Sequence, residues 1–288
     1  MKKLLIFQDP GVTVERTLSI AADILPDWEV THGSVPEGHH ALVAVNSVLD
    51  SRVMEAMNGG LISLAFTGYD HVDLEAAATH GVAVANVPGY STNGVAELAF
   101  ALAVMSMRDP GHRHGRELHG KTVGIIGTGA IGLAAALLFK AASCKILGWS
   151  RSEKADFPGK YTGLSYLLGH SDVVSLHLAL TEETEKFMNA QRFSMMKPGS
   201  ILVNTARGGL VDQTRLQEFL LSGYLGGAGL DVTTPEPLPP DNILHRITGV
   251  VITPHTGFNT KEALERRTVE ALKNVAAWSR GERRNRVD

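Results

Sequence analysis

The stretch Val123-Gly124-Ile125-Ile126-Gly127-Thr128-Gly129-Ala130-Ile131-Gly132 decides the fold of this chain. The apolar run from Thr122 to Ile126 predicts a short buried strand, and residues 133–139 predict a helix. A Gly-x-Gly-x-x-Gly pattern placed between a strand and a helix is typical of a turn that binds the pyrophosphate of a dinucleotide. The free N–H groups and the dipole of the new helix then face the phosphates.

The three glycines of this pattern have separate predicted roles. Gly127 permits the tight turn off the strand, and Gly129 lets the backbone approach a pyrophosphate closely. Gly132 lets the helix pack against the strand. The stretch therefore predicts the first strand, turn and helix of a dinucleotide-binding domain.

The second predicted strand of this domain, Lys145–Trp149, ends in residues that bear on the choice of cofactor. NAD-binding units usually carry Asp or Glu about 20 residues past the glycines, but here Glu153 is the nearest carboxylate and comes late. Ser150 leaves no charge to repel a 2′-phosphate, and Arg151 supplies a forked donor suited to phosphate. We therefore predict that Ser150, Arg151 and Ser152 bind the ribose end of the cofactor, with NADP preferred and NAD as the alternative.

Length and composition set the broad class. A chain of 288 residues with 44% apolar residues suits two domains of moderate size or one large one, and a net charge of -3 gives no reason to expect nucleic acid. The single cysteine, Cys144, excludes an internal disulfide and suits a reducing compartment. The apolar run at residues 4–7 is too short for a signal peptide, and no segment predicts a membrane span. We predict a cytoplasmic protein with no membrane partner.

The chain alternates short apolar runs with helical segments on both sides of the glycine pattern, which predicts an α/β fold with parallel strands. The predicted strands outside those named above are residues 4–7, 42–45, 62–66, 82–85, 173–176, 200–203, 227–230 and 250–252. The predicted helices outside the glycine pattern are residues 12–25, 51–57, 73–80, 94–107 and 261–278.

Residues 108–119 are polar and rich in Gly and His, and they predict a linker. This segment carries His112, His114 and His119, but no carboxylate or cysteine is spaced to complete a metal site with them. We predict a solvated basic loop and no bound metal.

Three polar side chains come just after predicted strands, where ligands bind in open parallel sheets. Arg207 follows residues 200–203, Glu236 follows residues 227–230, and His255 follows residues 250–252, each in a loop fixed by Gly or Pro. Taken singly, each could be an ordinary surface residue. Together, at the strand ends of a dinucleotide-binding fold, they indicate an active site.

These three residues fit the reduction of a 2-oxo acid, which needs a hydride, a proton for the developing alkoxide and a cation for the carboxylate. His255 can be the acid because histidine titrates near neutrality. Glu236 beside it would favour the charged ring and fix its orientation. Arg207 can bind the carboxylate and polarise the carbonyl.

With these residues in place, the chain resembles the D-isomer-specific 2-hydroxyacid dehydrogenases from about residue 62 to the C-terminus. The motifs that carry the resemblance are Thr67-Gly68-Tyr69-Asp70-His71-Val72-Asp73, Asn86-Val87-Pro88-Gly89-Tyr90-Ser91-Thr92, the glycine pattern, Asn204-Thr205-Ala206-Arg207-Gly208-Gly209-Leu210-Val211-Asp212, Leu230-Asp231-Val232 with Pro235-Glu236-Pro237, and Thr253-Pro254-His255-Thr256-Gly257. The first and second of these motifs look most like those of glyoxylate and hydroxypyruvate reductases.

The resemblance implies the roles of further residues. Arg207, Glu236 and His255 would be the catalytic trio, with Arg207 and His255 also binding substrate. The substrate carboxylate would be bound by the backbone of Thr67 and Gly68. Besides the glycines and the ribose-binding residues above, the resemblance implies cofactor contacts from Ala130 and Ile131 at the pyrophosphate and from Asp231 and Thr205 at the nicotinamide. His255 and Gly257 are also implied cofactor contacts.

The resemblance also implies a split architecture of two doubly wound parallel-sheet domains. A Rossmann cofactor domain, residues 94–260, would be inserted in a flavodoxin-like substrate domain formed by residues 1–93 and 261–288. The active site would lie in a cleft that closes on binding.

Two departures from the family pattern bear on these expectations. The linker at residues 108–119 is much shorter than the family's usual connection, which normally holds a helix and helps to form the dimer. A homodimer therefore stays open, and residues from that region are not expected to line the substrate pocket. The run His177-Leu178-Ala179 replaces the family's His-x-Pro near the adenine, from which we expect little effect.

Two other functions are compatible with the same motifs. A D-lactate-type dehydrogenase for a larger apolar 2-oxo acid would carry the same motifs. A dinucleotide-sensing regulator of the carboxy-terminal-binding type shares the fold and can retain the trio. The compact chain, which lacks a long appended arm for partner peptides, favours the enzyme, with a small 2-oxo or 2-hydroxy acid as its partner molecule.

Overall fold

Parallel strands joined by crossover helices build both halves of the chain in the computed structural model, as the alternating sequence pattern predicts. The structure describes residues 1–7, 10–45, 48–69, 72–108 and 114–288. The chain divides into two units: unit 1 is Met1–Ser91 with Asn259–Asp288, and unit 2 is Thr92–Phe258.

Unit 1 contains a five-stranded sheet in the described residues, with the order β2-β1-β3-β4-β5 and parallel pairing throughout. Its strands are β1 (Lys2–Ile6), β2 (Trp28–His32), β3 (Ala41–Ala44), β4 (Leu61–Leu64) and β5 (Ala83–Ala85). Its helices are α1 (Val14–Ile24), α2 (Ser51–Met57), α3 (Leu74–Thr79) and, from the C-terminal segment, α9 (Lys261–Ser279). This strand order is that of a flavodoxin-like sheet, which confirms the predicted fold class of this unit.

Unit 2 contains a seven-stranded parallel sheet in the described residues, with the order β12-β11-β10-β9-β6-β7-β8. Its strands are β6 (Thr122–Ile126), β7 (Lys145–Trp149), β8 (Lys160–Tyr161), β9 (Val173–Leu176), β10 (Ile201–Asn204), β11 (Gly227–Leu230) and β12 (Val250–Ile252). Its helices are α4 (Thr92–Arg108), α5 (Ala130–Ala141), α6 (Leu164–His170), α7 (Ala190–Met195) and α8 (Gln213–Leu221), with 3-10 helices at Gly208–Leu210 and Ile243–Arg246. The order is that of a Rossmann sheet, and it reverses between β6 and β9, where such sheets bind dinucleotides.

The sheet of unit 2 is buried on both faces, which explains why its strands are apolar without alternation. From β6, Ile126 packs into one cluster with Leu176 and Phe193. Its neighbour Ile125 packs into the opposite cluster with Phe139 of α5. Each of these buried side chains stabilises the fold by about 1.5–3 kcal/mol, so the strand ends that carry the site are firmly held.

Two strands escape sequence-based prediction. In β2, which lies at the sheet edge, Glu29 separates Trp28 from Val30 and leaves no apolar run. Its first four residues are half-buried and His32 is exposed. In β8 only Lys160 and Tyr161 pair with the neighbouring strand. The first crossover helix of unit 2 begins at Ala130, earlier than predicted, because the last glycine of the pattern lies inside it.

The predicted linker is described from residue 114 onward, so His112 and Arg113 lie outside the described residues. The N–H of Arg116 donates to the carbonyl of Met107 at 2.8 Å, and Leu118 is buried. The Sγ of buried Cys144 donates to the carbonyl of Leu118 at 3.3 Å. The cysteine is therefore a packed core residue. Within the described ranges, no helix is long and apolar enough to cross a membrane.

Candidate active site

The glycine turn lies at the reversal point of the unit 2 sheet, directly after β6. Gly127 has a φ of +91°, which L side chains rarely adopt, and a Cβ on it would meet the carbonyl oxygen of His177 at 2.5 Å. A Cβ on Gly132 would meet the carbonyl oxygen of Gly127 at 1.9 Å. Both positions therefore need glycine to close the turn.

The start of α5 is open to a ligand. Gly129 is the N-cap residue, no described side chain caps the helix there, and a Cβ on Gly129 would meet nothing within 4 Å. The first N–H groups of a helix have no partner within it, and Ala130 and Ile131 provide two of them here. This arrangement suits a phosphate, so the chain's own residues fit the pyrophosphate of a dinucleotide.

The residues directly after β7 become exposed from Arg151 onward. Arg151 and Ser152 are exposed and Ser150 is half-buried. No described residue forms a hydrogen bond or an ion pair with the Arg151 guanidinium. Its five donors are therefore available to an anionic group.

The three predicted catalytic side chains follow neighbouring strands at one edge of the unit 2 sheet. Arg207 follows β10, Glu236 follows β11 and His255 follows β12. The structure brings two of them into direct contact, because Nδ1 of His255 lies 2.9 Å from Oε2 of Glu236. Both side chains are about two-fifths exposed, so the pair can be reached by a small molecule.

The Glu236 carboxylate is held in its charged form. Burial raises its pKa, but the hydrogen bond and charge of His255, the N–H of Thr233 and the charge of Arg207 together outweigh burial, and the pKa falls below its ordinary value. The N–H of Thr233 donates to Oε1 of Glu236 at 3.1 Å. One oxygen is thus fixed by the backbone and the other by the histidine.

The His255 backbone adopts a strained conformation, with a φ of +52°. Asp231 holds this loop: its carbonyl accepts from the N–H of His255 at 2.8 Å. Its buried carboxylate accepts from the N–H of Thr256 and the N–H of Gly257, each at 2.8 Å, and from the hydroxyl of Thr253 at 2.6 Å. Asp231 therefore sets the direction in which the histidine ring leaves the sheet.

The loop that carries Arg207 is braced by a residue that the sequence analysis did not single out. The side chain of Asn204 donates to the carbonyl of Arg207 at 2.8 Å and accepts from the N–H of Ala206 at 3.0 Å. A Cβ on Gly208 would meet the carbonyl oxygen of Thr233 at 2.0 Å, so glycine lets the loops after β10 and β11 touch. An Asn at the end of a buried strand is typical of residues that stabilise a turn, but the residue type does not indicate which backbone groups it binds.

Two buried polar atoms beside the cofactor turn and the catalytic residues lack a hydrogen-bond partner among the described residues: Oγ1 of Thr205 and Nδ1 of His177. Thr205 directly follows β10, where it is predicted to contact the nicotinamide. His177 follows β9, and its Nε2 lies 2.9 Å from Oγ of Ser175. Burial lowers the pKa of His177 to about 4, so its ring is neutral at pH 7. Buried polar atoms without hydrogen-bond partners are rare in folded proteins.

The two predicted carboxylate-binding residues lie in unit 1. The hydroxyl of Thr67 donates to the carbonyl of Val87 at 2.9 Å, and the side chain of Asn86 donates to the carbonyl of Thr67 at 2.7 Å. These bonds fix the backbone of Thr67, the residue directly before Gly68. The next residues of that motif, Asp70 and His71, lie outside the described residues.

Comparisons with known proteins find a family model and curated relatives that match more than half of this chain. Residues 96–257 match the family model described as "D-isomer specific 2-hydroxyacid dehydrogenase, NAD binding domain". The chain is 37% identical over 272 residues to "D-lactate dehydrogenase kk1H" of Curvularia clavata, an alignment that covers 83% of this chain and 78% of the relative. It is 35% identical over 257 residues to "Glyoxylate reductase" of Korarchaeum cryptofilum, with 81% of this chain and 77% of the relative covered.

Among solved structures, the chain is similar to the TT0316 protein from Thermus thermophilus. The two share 35% identity and a TM-score of 0.88, and the alignment covers 100% of each chain. The likeness therefore extends over both units.

Proposed function

The chain belongs to the D-isomer specific 2-hydroxyacid dehydrogenase family, a family of nicotinamide-dependent oxidoreductases, and on that premise we propose its substrate, its preferred cofactor and its catalytic residues. The proposed reaction is the reversible reduction of a small 2-oxo acid, of the size of glyoxylate or hydroxypyruvate, to the D-2-hydroxy acid. NADPH is the proposed hydride donor. Arg207, Glu236 and His255 are the proposed catalytic residues.

The contact between His255 and Glu236 carries this proposal. A carboxylate only accepts hydrogen bonds, so the 2.9 Å contact requires the proton on Nδ1 of His255. In the neutral ring, Nε2 is then a free acceptor that can take the hydroxyl proton of a 2-hydroxy acid. In the charged ring, Nε2 carries the proton that reduction of a 2-oxo acid needs. One geometry therefore serves both directions.

The other residues act on the substrate's charge. A bound nicotinamide supplies or accepts the hydride at the carbon that bears the oxygen. Arg207 binds the carboxylate and polarises the carbonyl, since its planar guanidinium can donate to a carboxylate oxygen and to the carbonyl oxygen at the same time. The backbone of Thr67 and Gly68 is proposed as the second contact for the carboxylate. Asp231 holds the His255 loop and so keeps Nε2 aimed at the reacting oxygen.

The cofactor would lie along the carboxyl edge of the unit 2 sheet. The open start of α5, with Gly129, Ala130 and Ile131, would receive the pyrophosphate. The Arg151 guanidinium, which bonds to none of the described residues, lies directly after Ser150 in the chain and supports a preference for NADPH over NADH. Thr205 and Gly257 are proposed contacts near the nicotinamide, with Ser152 at the ribose.

The substrate assignment rests on the resemblance of the motifs in residues 67–73 and 86–92 to the reductases of small 2-oxo acids. The test is the rate of reduced-cofactor oxidation against glyoxylate, hydroxypyruvate, pyruvate, phenylpyruvate and 2-oxoisocaproate, with NADPH and NADH in parallel. We expect the first two acids with NADPH to give the highest kcat/KM. A preference for the larger apolar acids would assign a D-lactate-type enzyme. Cofactor binding with no turnover of any acid would favour a regulator.

A further inference from the structure

The loop between β7 and β8, residues 150–159, is anchored at its far end by two aromatic rings. Phe157 is buried beneath Gly148, where a Cβ would meet the ring at 2.5 Å. The rings of Phe157 and Tyr161 lie 4.7 Å apart between centroids. The glycine in β7 thus makes room for an aromatic pair that fixes where the loop returns to the sheet.

The hydroxyl of Tyr161 joins this loop to the glycine turn. It donates to Oγ1 of Thr128 at 2.9 Å and accepts from the N–H of Lys154 at 2.9 Å. Thr128 is buried and lies between the first two glycines of the turn. A single hydroxyl therefore links the segment proposed to meet the ribose with the segment proposed to meet the pyrophosphate.

This link governs a segment that has few other restraints. Arg151 and Ser152 are exposed, and the Arg151 guanidinium has no hydrogen bond or ion pair with the described residues. A loop that is ordered only on binding lowers affinity, because the ligand's contacts must offset the lost conformational entropy. Fixing the backbone at Lys154 reduces that cost for Arg151, three residues before it.

We propose that Tyr161 is a positioning residue that sets the discrimination between phosphorylated and unphosphorylated cofactor. Its hydroxyl holds residues 150–154 against the glycine turn, so that Ser150 and Arg151 meet the substituent on the adenosine ribose. The inference rests on the proposed use of NADPH. It concerns the hydroxyl alone, since the ring's packing on Phe157 has a structural role that any aromatic residue would fulfil.

The test measures binding of two cofactor fragments to the full chain, which separates the ribose phosphate from catalysis. Isothermal titration calorimetry with 2′,5′-ADP and with 5′-AMP gives the ratio of the two Kd values for the wild type and for Tyr161→Phe. The variant keeps the ring and loses both hydrogen bonds. Tyr166→Phe is the matched control, because Tyr166 is a half-exposed tyrosine of the same unit whose hydroxyl bonds to no described residue.

We expect Tyr161→Phe to reduce the preference for 2′,5′-ADP by about five- to tenfold, the effect of losing one or two hydrogen bonds, while the affinity for 5′-AMP changes by less than about twofold. The control should leave both affinities unchanged. Thr128→Val, which removes the other partner of the hydroxyl, should reproduce the change in preference.

Three results would overturn the inference. An unchanged preference in Tyr161→Phe means that the hydroxyl does not position the loop. An equal loss of affinity for both fragments means that Tyr161 only supports the fold. A wild type that binds both fragments equally removes the NADPH preference itself and the inference with it, so the wild-type ratio tests the proposed function and the variant tests the role of Tyr161.

Discussion

Glu236 acts on the reaction through the ring nitrogen that it contacts. Glu236→Gln replaces a carboxylate oxygen, which accepts from Nδ1 of His255 at 2.9 Å, with an amide whose nitrogen can only donate, so the ring is no longer held in one orientation. We expect kcat/KM for reduction to fall by about 10²-fold, measured by steady-state kinetics at saturating NADPH. Glu218→Gln, which removes an exposed carboxylate on α8, is the control and should leave kcat/KM unchanged. An unchanged kcat/KM in Glu236→Gln would show that Glu236 does not position His255 for the proton transfer.

The lowered pKa of Glu236 also determines how the pair with His255 responds to a fall in pH. A carboxyl group whose pKa is lower in the folded protein than in the unfolded chain stabilises the fold above the unfolded pKa. That contribution is lost as the pH falls through the lowered folded value. The pair between Glu236 and His255 should therefore stay intact through the mildly acid range and break only below the ordinary pKa of glutamate.

Substitutions of Arg207 test whether substrate binding needs a planar guanidinium group. Arg207→Ala should lower kcat/KM for the 2-oxo acid by about 10²–10³-fold, and Arg207→Lys should recover less than about tenfold of that loss, because a point charge cannot bind two oxygens at once. Steady-state kinetics at saturating NADPH measure both. Arg215→Lys, on the exposed face of α8 with Glu218, is the matched control. Full activity of Arg207→Lys would refute bidentate binding.

Among single residues, sequence reasoning could name Arg207, Glu236 and His255, because each is a polar residue in a loop with Gly or Pro that follows a buried strand. It could not find the brace at Asn204 or the hydroxyl of Tyr161. Both act through hydrogen bonds whose partners depend on how a loop folds back, over three residues for Asn204 and over 33 for Tyr161 and Thr128. Such contacts leave no periodic pattern.

At the start of α5, Gly129 and Gly132 are expected to have different roles, one in cofactor binding and the other in the stability of the fold. Gly129→Ala adds a Cβ in open space and should change the free energy of unfolding by less than about 1 kcal/mol, while weakening NADPH binding roughly tenfold because the backbone can no longer approach the pyrophosphate. Gly132→Ala drives a Cβ into the carbonyl of Gly127 and should destabilise the fold by about 2 kcal/mol or more.

Urea unfolding and calorimetric titration with NADPH measure the two effects. The opposite pattern, with Gly129→Ala unstable and Gly132→Ala stable but unable to bind, would contradict the account of the turn.

For whole elements, prediction succeeded where an apolar run or a helical period was long enough to be recognised. The strands at residues 173–176, 227–230 and 250–252 coincide with β9, β11 and β12. It failed for β2 and β8, edge strands that need little apolar surface because one side has no neighbour. The helices α6, α7 and α8 were also missed.

The division into units gives a prediction for the whole molecule. Unit 2 is one continuous segment, Thr92–Phe258, with two hydrophobic clusters of its own. We expect this segment, expressed alone, to fold and to bind NADPH with a Kd within about tenfold of the full chain. It should not reduce a 2-oxo acid, since Thr67 and Gly68 are absent from it. A folded segment that does not bind NADPH would contradict the assignment of the cofactor site to unit 2.

His255 is proposed to supply the proton for reduction of a 2-oxo acid, and a comparison of the wild type with His255→Ala, with hydroxypyruvate and NADPH as substrates, tests this role. Single-turnover oxidation of bound NADPH gives the rate of the step, and calorimetry gives the Kd of NADPH. His245→Ala, an exposed histidine of the same unit, is the control. We predict a rate about 10²–10⁴-fold lower in His255→Ala, with the Kd of NADPH changed less than about threefold. A rate in His255→Ala equal to that of the wild type would show that His255 does not supply the proton.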